Sequence, residues 1–190
     1  MASRFGSRPA GSDGSDFQHR ECVVEPYNQS PLFKRRLRTT FTLHIAIWLL
    51  VAVKVLPEVL FKFGLISRAI IRRYGLPPNE LWEYAWLFGS ILPVIFGHFA
   101  FPKNRIYLIR FSLIGTIVFG FVPIMMGCFL RAFELMDFYY TKNSRHDFFR
   151  FPFVVILYIF FSIAFQIHCF ELYFSYKLMS MWSRLSKKNA

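Results

Sequence analysis

The sequence predicts an all-α integral membrane protein with four transmembrane helices, short loops and both termini in the cytosol. Two observations lead to this fold class. The 190 residues are 55% hydrophobic and include 25 phenylalanines, which is more apolar surface than a soluble domain of this size buries. The apolar residues also form long blocks instead of alternating with polar residues, a pattern typical of membrane spans.

Four apolar blocks are long enough to cross a bilayer, which requires about 20 helical residues at about 1.5 Å each. They occupy residues 41–60, 82–101, 106–130 and 151–174. Helices are expected because an open strand would leave backbone groups unpaired in hydrocarbon. Lys54 interrupts the first block near its end, where a lysine side chain extends to the membrane interface.

The remaining segments are short and more polar. They are an N-terminal tail at 1–40, loops at 61–81 and 131–150, a turn at 102–105 and a C-terminal tail at 175–190. The N-terminal tail begins with a mixture of Ser, Gly, Asp and Arg, which favours disorder. We expect no cleavable signal peptide, because the first apolar run starts only at Phe41, and this run is expected to act as an uncleaved signal anchor.

Basic residues at the block edges set the predicted orientation. The net charge is +12, but the basic residues flank apolar blocks and fit lipid headgroups better than nucleic acid. The tail before Phe41 holds seven Lys and Arg residues, and the turn at 102–105 and the C-terminal tail add more on the same side. The two opposite loops hold four each. The positive-inside rule therefore predicts that both termini are cytosolic.

Two prolines and a stripe of small residues indicate where helices bend and pack. Pro93 and Pro123 lie inside the second and third spans, and each removes a backbone hydrogen bond and is predicted to kink its helix. Ser112, Thr116 and Gly120 repeat every four residues along the third span. Small residues let another helix approach closely, and we expect this packing to occur within the chain.

Polar residues gather inside the apolar blocks near their predicted cytosolic ends, namely His98, Arg110, Gln166, His168 and Glu171. Isolated charge is costly in a membrane, so such residues are candidates for a functional role. We predict that Arg110 and Glu171 form an ion pair between the third and fourth helices. Exchanging the two residues should then restore folding that either single reversal impairs.

The sequence lacks a recognisable catalytic or metal-binding pattern. His44, His98 and His168 do not have the spacing of an H-x-x-x-H metal motif. No nucleophile motif or phosphate-binding glycine loop is present, and three scattered cysteines do not form a disulfide framework or a zinc site. We therefore predict no enzyme activity, no cofactor, no metal and no small-molecule substrate.

The sequence ends with two adjacent lysines, Lys187 and Lys188, at the fourth and third positions from its last residue. They resemble the dilysine retrieval signal, which coat proteins of retrograde vesicles bind on cytosolic tails of endoplasmic reticulum membrane proteins. The alternative is a basic tail that faces anionic lipid. The predicted cytosolic C-terminus is the side on which such a signal must lie.

Several stretches carry a resemblance to a known family. The segment GSDGSDFQHRE at 11–21 resembles the N-terminal signature of the Jagunal family of endoplasmic reticulum proteins. The resemblance continues in WEY at 82–84, SILP at 90–93, FPKN at 101–104, QIH at 166–168 and LYFSYKL at 172–178. It implies a four-span protein of the reticulum with cytosolic termini, associated with vesicle-mediated transport, organisation of the reticulum and contact with the COPI coatomer, and without catalytic residues.

These expectations combine into one prediction with two alternatives. We predict a non-catalytic membrane protein of the endoplasmic reticulum that recruits COPI through Lys187 and Lys188, as a single chain or a homo-oligomer. The first alternative is a small channel or transporter that uses the Arg110–Glu171 region and the proline-bent helices. The second is an enzyme of lipid metabolism with a site near His98 and His168.

Overall fold

The computed structural model describes residues 15–67, 77–148 and 151–188, with side chains described for 29–67, 77–148 and 151–184. In chain order its elements are α1 (Ser15–Lys62), α2 (Leu81–Gly89), α3 (Ile91–Ala100), α4 (Ile106–Gly115), the π-helix π1 (Thr116–Phe121), α5 (Val122–Leu130), α6 (Ala132–Thr141), β1 (Asp147–Phe148), β2 (Phe151–Pro152) and α7 (Phe153–Lys188). The two short strands pair antiparallel. The described chain is thus mostly helical, as predicted.

Three helical stretches have the length and hydropathy to cross a membrane: Gln29–Lys62, Ile106–Thr141 and Phe153–Arg184. They contain most or all of the first, third and fourth predicted spans. The second predicted span is divided between α2 and α3, which have nine and ten residues. At about 14–15 Å each, neither of these helices crosses a bilayer by itself.

Both interruptions within the predicted spans lie shortly before a proline. Pro93 has no N–H to bond the carbonyl of Gly89, the last residue of α2. Ser90 between the two helices keeps helical dihedral angles and donates its N–H to the Trp86 carbonyl at 2.9 Å. Pro123 is the second residue after π1, and a π-helix is a local widening typical of an interrupted hydrogen-bond ladder. The regular α-helix is thus interrupted close to each proline, while the predicted kinks stay a prediction.

The segments outside the spans contain more structure than the sequence predicts. Helix α1 begins at Ser15, so the predicted disordered tail is helical from that residue onward, and residues 1–14 lie outside the described part. Leu37 packs against the C-terminal part of α7, and Trp182 donates its indole N–H to Ser30 Oγ at 3.0 Å. Such tertiary packing stabilises a helix that composition alone does not indicate.

The structure describes most of one predicted luminal loop and only part of the other. The loop at 131–150 contains α6 and β1, so it is not an irregular connection. In the loop at 61–81, residues 68–76 lie outside the described part of the chain. The predicted cytosolic turn at 102–105 is found as a turn that ends at the start of α4.

Two apolar clusters hold the helices together. The first includes Val51, Val55, Trp82, Trp86 and Phe161, and the second includes Leu37, Phe41, Phe101, Leu178 and Trp182. Along α1, buried His44 lies between Phe41 of the second cluster and Ile47 of the first. Buried polar residues therefore form a layer between the two apolar clusters.

The stripe of small residues packs within the chain, as predicted. Ser112 is buried and donates its hydroxyl to the Pro93 carbonyl at 2.7 Å, which links α4 to α3. Gly120 of π1 lies against α7, since a Cβ atom at this position would be 3.0 Å from the His168 ring. Helices approach closely where side chains are small, so the stripe brings α3 and α7 against the third span.

Candidate functional site

Glu171 is the centre of a buried polar group that we call the histidine–carboxylate cluster: His44, Trp86, Ser90, His168 and Glu171. Glu171 Oε1 lies 2.8 Å from His44 Nδ1, and Oε2 lies 3.1 Å from His168 Nδ1. The three ionisable side chains are at most 1% exposed. The cluster joins three parts of the fold, because His44 belongs to α1, Trp86 to α2 and Glu171 to α7.

Trp86 determines which nitrogen of His168 carries the proton. The indole Nε1–H is a donor only, and it lies 3.2 Å from His168 Nε2. Nε2 must therefore be the acceptor, so the proton of the neutral ring is on Nδ1 and is donated to Glu171 Oε2. Protonating Nε2 would set two donors against each other in a buried site, which holds His168 neutral.

His44 connects Glu171 to Ser90 through its two ring nitrogens. Its Nε2 lies 3.1 Å from Ser90 Oγ, and a hydroxyl either donates or accepts. When Nε2–H donates to Ser90, one further proton is shared between His44 Nδ1 and the Glu171 carboxyl group. This arrangement pairs the nitrogen and oxygen atoms named above and has no net charge. Burying a net charge costs several kcal/mol, so the neutral arrangement is favoured.

Aromatic rings and a glycine enclose the cluster. Trp86 stacks on His44 with ring centroids 5.6 Å apart, and the Phe121 ring lies 5.7 Å from His168. Gly120 also lies against the His168 ring, since a Cβ atom there would be 3.0 Å from Cε1. The π-helical backbone of π1 thus packs directly on the cluster, and π-helices are common at sites where the backbone must be displaced.

The geometry also raises the question of a metal ion. Donor atoms of His44, His168 and Glu171 lie within 4.8 Å of one another, a spacing compatible with three ligands of one ion. A metal at His168 Nδ1 would require the ring proton on Nε2, facing the Trp86 N–H. Because that contact is donor against donor, the hydrogen bonding opposes a metal site. The cluster fits better as a hydrogen-bonded link between helices.

A second buried ionic group lies near the C-terminal end of α1 and the start of α2. Lys54 Nζ is 2.6 Å from Glu83 Oε1, and both side chains are largely buried. Arg131 pairs with Glu80 at 2.9 Å and also with Glu134. These pairs connect α1 to α2 and connect α2 to the junction of α5 and α6. Basic and acidic groups therefore neutralise each other at this end.

The predicted Arg110–Glu171 ion pair is not formed in the structure. Arg110 is exposed on α4 and takes part in no ion pair with another described residue, whereas both oxygens of Glu171 face histidines. The face of α4 that turns inward presents Ile109 and Ser112 instead. An exposed guanidinium keeps its solvation, and the buried carboxyl group is paired with two imidazoles instead, so the charge of a guanidinium does not have to be buried.

Other residues singled out in the sequence have separate positions. His98 is exposed beside the Phe101 ring and is not part of the histidine–carboxylate cluster. The sequence pattern indicated no role for Trp86 or Ser90 and did not indicate that His44 contacts Glu171. The i, i+3 spacing of His168 and Glu171 could have indicated this site. It places two polar side chains on one face of a membrane helix, where a further polar partner from another helix is expected.

Helix α7 leads to the predicted coat-binding lysines. The helical backbone continues to Lys188, while the side chains of Lys187 and Lys188 lie outside the described residues. Trp182 fixes the preceding part of α7 against Ser30 of α1, and Lys34 Nζ lies 5.4 Å from the Trp182 ring centroid. The terminal helices are thus packed together before α7 reaches the two lysines.

These features define a class of protein. The described helices have membrane-spanning length and hydropathy, many large apolar side chains are exposed on their outer faces, and the polar groups are paired inside. Soluble proteins show the opposite distribution. The architecture is that of a helical membrane protein with an internal polar cluster.

The chain belongs to the Jagunal family, whose model, described as "Jagunal, ER re-organisation during oogenesis", matches residues 1–186. The jagunal homolog of Caenorhabditis elegans is 35% identical over 191 residues, covering 98% of this chain and 100% of that protein. Human jagunal homolog 1 is 35% identical over 183 residues, with 96% and 94% covered, and Drosophila melanogaster jagunal is 30% identical over 190 residues, with 96% and 95% covered. The resemblance to this family is confirmed, and it fits a membrane protein of the endoplasmic reticulum.

Proposed function

We propose that this chain is a four-span protein of the endoplasmic reticulum membrane with both termini in the cytosol. It supports vesicle-mediated transport and organisation of the reticulum, and it recruits the COPI coat through Lys187 and Lys188 without catalysing a reaction. Family membership supports the compartment. The observation that carries the proposal is the basic end of the bundle, from which α7 leads toward the two lysines.

The second span of this proposal consists of α2 and α3 together. Residues 81–100 are helical except at Ser90, which retains helical dihedral angles. Twenty residues cover about 30 Å, the thickness of the hydrocarbon core. Only a short turn separates α3 from α4, and Ser112 of α4 bonds the Pro93 carbonyl. Such a tight connection favours an antiparallel pair of spans.

The contacts of Lys34 and Lys54 support placing the first span between these two residues. Lys34 Nζ donates to the Phe101 carbonyl at the turn after α3, and Lys54 pairs with Glu83 near the start of α2. From residue 34 to residue 54 the helix extends about 30 Å, which matches one hydrocarbon core. The first span then begins a turn or two before residue 41, and His44 lies midway across it.

The charge distribution supports the orientation. At the end near Lys34, the Lys and Arg residues with described side chains are Lys34, Arg35, Arg36, Arg38, Lys103, Arg105, Arg110, Lys177 and Arg184. The first part of α1 adds Arg20 together with the acidic residues Asp16, Glu21 and Glu25. At the opposite end, five described basic residues accompany Glu58, Glu80, Glu83, Glu134, Asp137 and Asp147. The positive-inside rule therefore favours a cytosolic location for the basic end.

The length of α7 supports coat access. Its 36 residues extend about 54 Å, which exceeds a hydrocarbon core by about 24 Å. Its first residue lies near the opposite edge, because the Phe153 ring is 5.6 Å from Lys54 Nζ. The excess length therefore extends from the basic end, which carries the lysines beyond the lipid headgroups toward a cytosolic receptor.

Replacing both lysines tests the proposal. We expect Lys187→Ser/Lys188→Ser, with the detection tag placed internally, to shift from the reticulum to the Golgi at steady state. A peptide of residues 177–190 should bind purified coatomer, and the doubly substituted peptide should lose most of that binding, since the two ammonium groups supply the charge that an acidic receptor site recognises.

A matched control separates recognition from general charge. Lys177→Ser/Arg184→Ser removes the same number of positive charges from exposed positions of the same helix. If this control mislocalises as strongly as the terminal variant, the lysines act as membrane-surface charge. If neither variant changes location or coat binding, coat recruitment through Lys187 and Lys188 is refuted.

The structure supports a channel or transporter function less well than the proposed function. Its polar path would have to pass through the histidine–carboxylate cluster, but apolar side chains close the bundle on both sides of that layer. Arg110, which the channel alternative required, is exposed and does not pair with Glu171. The described residues therefore favour a structural role for the intramembrane polar groups.

A further inference from the structure

Helix α6 has three distinct faces and no fully buried residue. One face turns toward the bundle through Glu134, which pairs with Arg131 and is only 10% exposed. A second, polar face carries exposed Asp137 and Thr141. The third face, which we call the aromatic face of α6, consists of Phe133, Met136, Tyr139 and Tyr140, with exposed fractions of 81%, 54%, 67% and 76%.

A departure from regular helical geometry at one residue, Arg131, separates α6 from α5. Arg131 has φ −95° and ψ −1°, well away from the ψ of about −42° of a regular helix. Continuous helix from residue 106 to 141 would extend about 54 Å, far beyond one hydrocarbon core. We therefore take the irregular residue Arg131, which is held by ion pairs to Glu80 and Glu134, as the point at which the span ends and α6 begins.

We infer that α6 is an interfacial helix whose aromatic face is inserted into the luminal leaflet, at the boundary between headgroups and acyl chains. This inference rests on the proposed four-span placement, which puts the end of the bundle near Lys54 at the luminal surface. The occupant of the aromatic face is phospholipid, and neither water nor a protein partner covers it.

Continuity with the outer surface of the span supports lipid as the occupant. Phe129 and Leu130, the last two residues of α5, are 71% and 55% exposed, and the aromatic face of α6 follows directly after them. Other large apolar residues are exposed at the same end of the bundle, namely Phe63, Leu65, Leu81 and Phe151. Aromatic and aliphatic side chains collected at one level are typical of a membrane interface.

The chemistry of α6 itself fits that interface. Tyrosine combines an apolar ring with a polar hydroxyl, and two of the four residues of the aromatic face are tyrosines. Lys142 ends the helix in a left-handed conformation and places its Nζ 4.7 Å from the Tyr139 ring centroid. Asp137 and Thr141 occupy the face that remains for water. A short helix with separate apolar and polar faces is suited to lie in the interface plane.

Such an insertion makes the two leaflets unequal. The aromatic face of α6 adds side-chain volume to the luminal leaflet. On the opposite side, α3 and α4 are joined by only a short turn. The protein would therefore occupy more area in the luminal leaflet than in the cytosolic one, which links this helix to the proposed role in organisation of the reticulum.

Spin labels on the intact chain in liposomes test the inference. In a variant with Cys22, Cys128 and Cys169 replaced by serine or alanine, a nitroxide is placed in turn at 133, 136, 140, 143 and 159. We expect labels at 133, 136 and 140 to collide frequently with oxygen and several-fold less with a water-soluble nickel chelate than the label at Asn143. Ile159, exposed on the outer face of α7, is the reference for a lipid-facing position.

The alternative outcomes are distinct. Nickel collision at 133, 136 and 140 equal to that at Asn143 would place the aromatic face in water, and low collision with both reagents would show that protein covers it. Either result overturns the inference. If the label at Ile159 is also reached by nickel, the membrane placement itself fails, and the proposed function fails with it. Melting temperatures equal to that of the cysteine-free parent confirm that each labelled variant is folded.

Discussion

Replacing Glu171 by alanine is expected to destabilise the fold by about 3 kcal/mol and to lower the melting temperature by about 6–12 °C. The substitution removes the hydrogen-bonding partner of two buried imidazoles, His44 and His168. Both rings would keep a polar nitrogen without a partner in an apolar interior, which costs more than the loss of an average hydrogen bond.

Glutamine at the same position is the matched control. Its Oε1 accepts the Nδ1–H of His168, and its amide group donates to His44 Nδ1, so that His44 Nε2–H donates to Ser90. We therefore expect Glu171→Gln to stay within about 1 kcal/mol of the parent chain. Thermal unfolding in lipid nanodiscs measures both variants. If glutamine is as damaging as alanine, the cluster requires a negative charge, and the neutral arrangement proposed for it is wrong.

Alanine at Gly127 is the second substitution for which we expect a large effect, a destabilisation of about 1–3 kcal/mol. A Cβ atom at this position would lie 2.7 Å from Trp82 Cδ2 and 2.9 Å from Phe161 Cζ. These rings pack edge to face, and Glu80 accepts the Trp82 indole N–H at 2.7 Å. Because the rings are held from several sides, the added methyl group displaces the packing of α5 against α2.

Gly115→Ala is the control for the same chemical change in another helix. Its closest contact would be Pro93 Cβ at 3.2 Å, and alanine favours a helix by about 1 kcal/mol over glycine. We expect this variant to be neutral or more stable in the same thermal assay. The destabilisation caused by Gly127→Ala should also be smaller when Trp82 is replaced by leucine, because the ring that the methyl group contacts is then absent. Equal effects at both glycines would show that close packing at Gly127 is not important.

The main features of the fold follow from the sequence because they depend on local chemistry. Long apolar runs indicate helices regardless of what packs against them, and three of them coincide with stretches of membrane-spanning length. Pro93 and Pro123 interrupt their helices because each lacks an N–H. Gly120 and Ser112 mark close approach because they are small. None of these effects requires a distant partner to be known.

The candidate site could not be predicted in the same way. Glu171 and His44 are separated by 127 positions in the chain, and their contact depends on how α1 and α7 are rotated about their axes. Charge complementarity alone suggested Arg110, but the inward face of α4 presents Ser112 in its place. Composition also missed the start of α1, which extends before residue 41 and packs on α7 through contacts such as Trp182 to Ser30.

The histidine–carboxylate cluster gives the bundle a structural basis for the proposed function. Its hydrogen bonds connect α1, α2 and α7 near the middle of the proposed span, where an unpaired polar group is most costly. This connection fixes how α1 and α7 are rotated against each other. Beyond the cluster the two helices stay packed, since Leu37, Leu178 and Trp182 belong to one apolar cluster and Trp182 donates to Ser30.

Protease protection of the two termini is the most direct test of the four-span account. A chain with an epitope at each end is placed in sealed microsomes, and protease is added from outside. Four spans with cytosolic termini predict that both epitopes are digested without detergent, while a soluble luminal protein stays protected as the control for sealed vesicles. If one terminal epitope is protected until detergent is added, the chain crosses the membrane an odd number of times. The account would then be wrong about α2 and α3 forming a span.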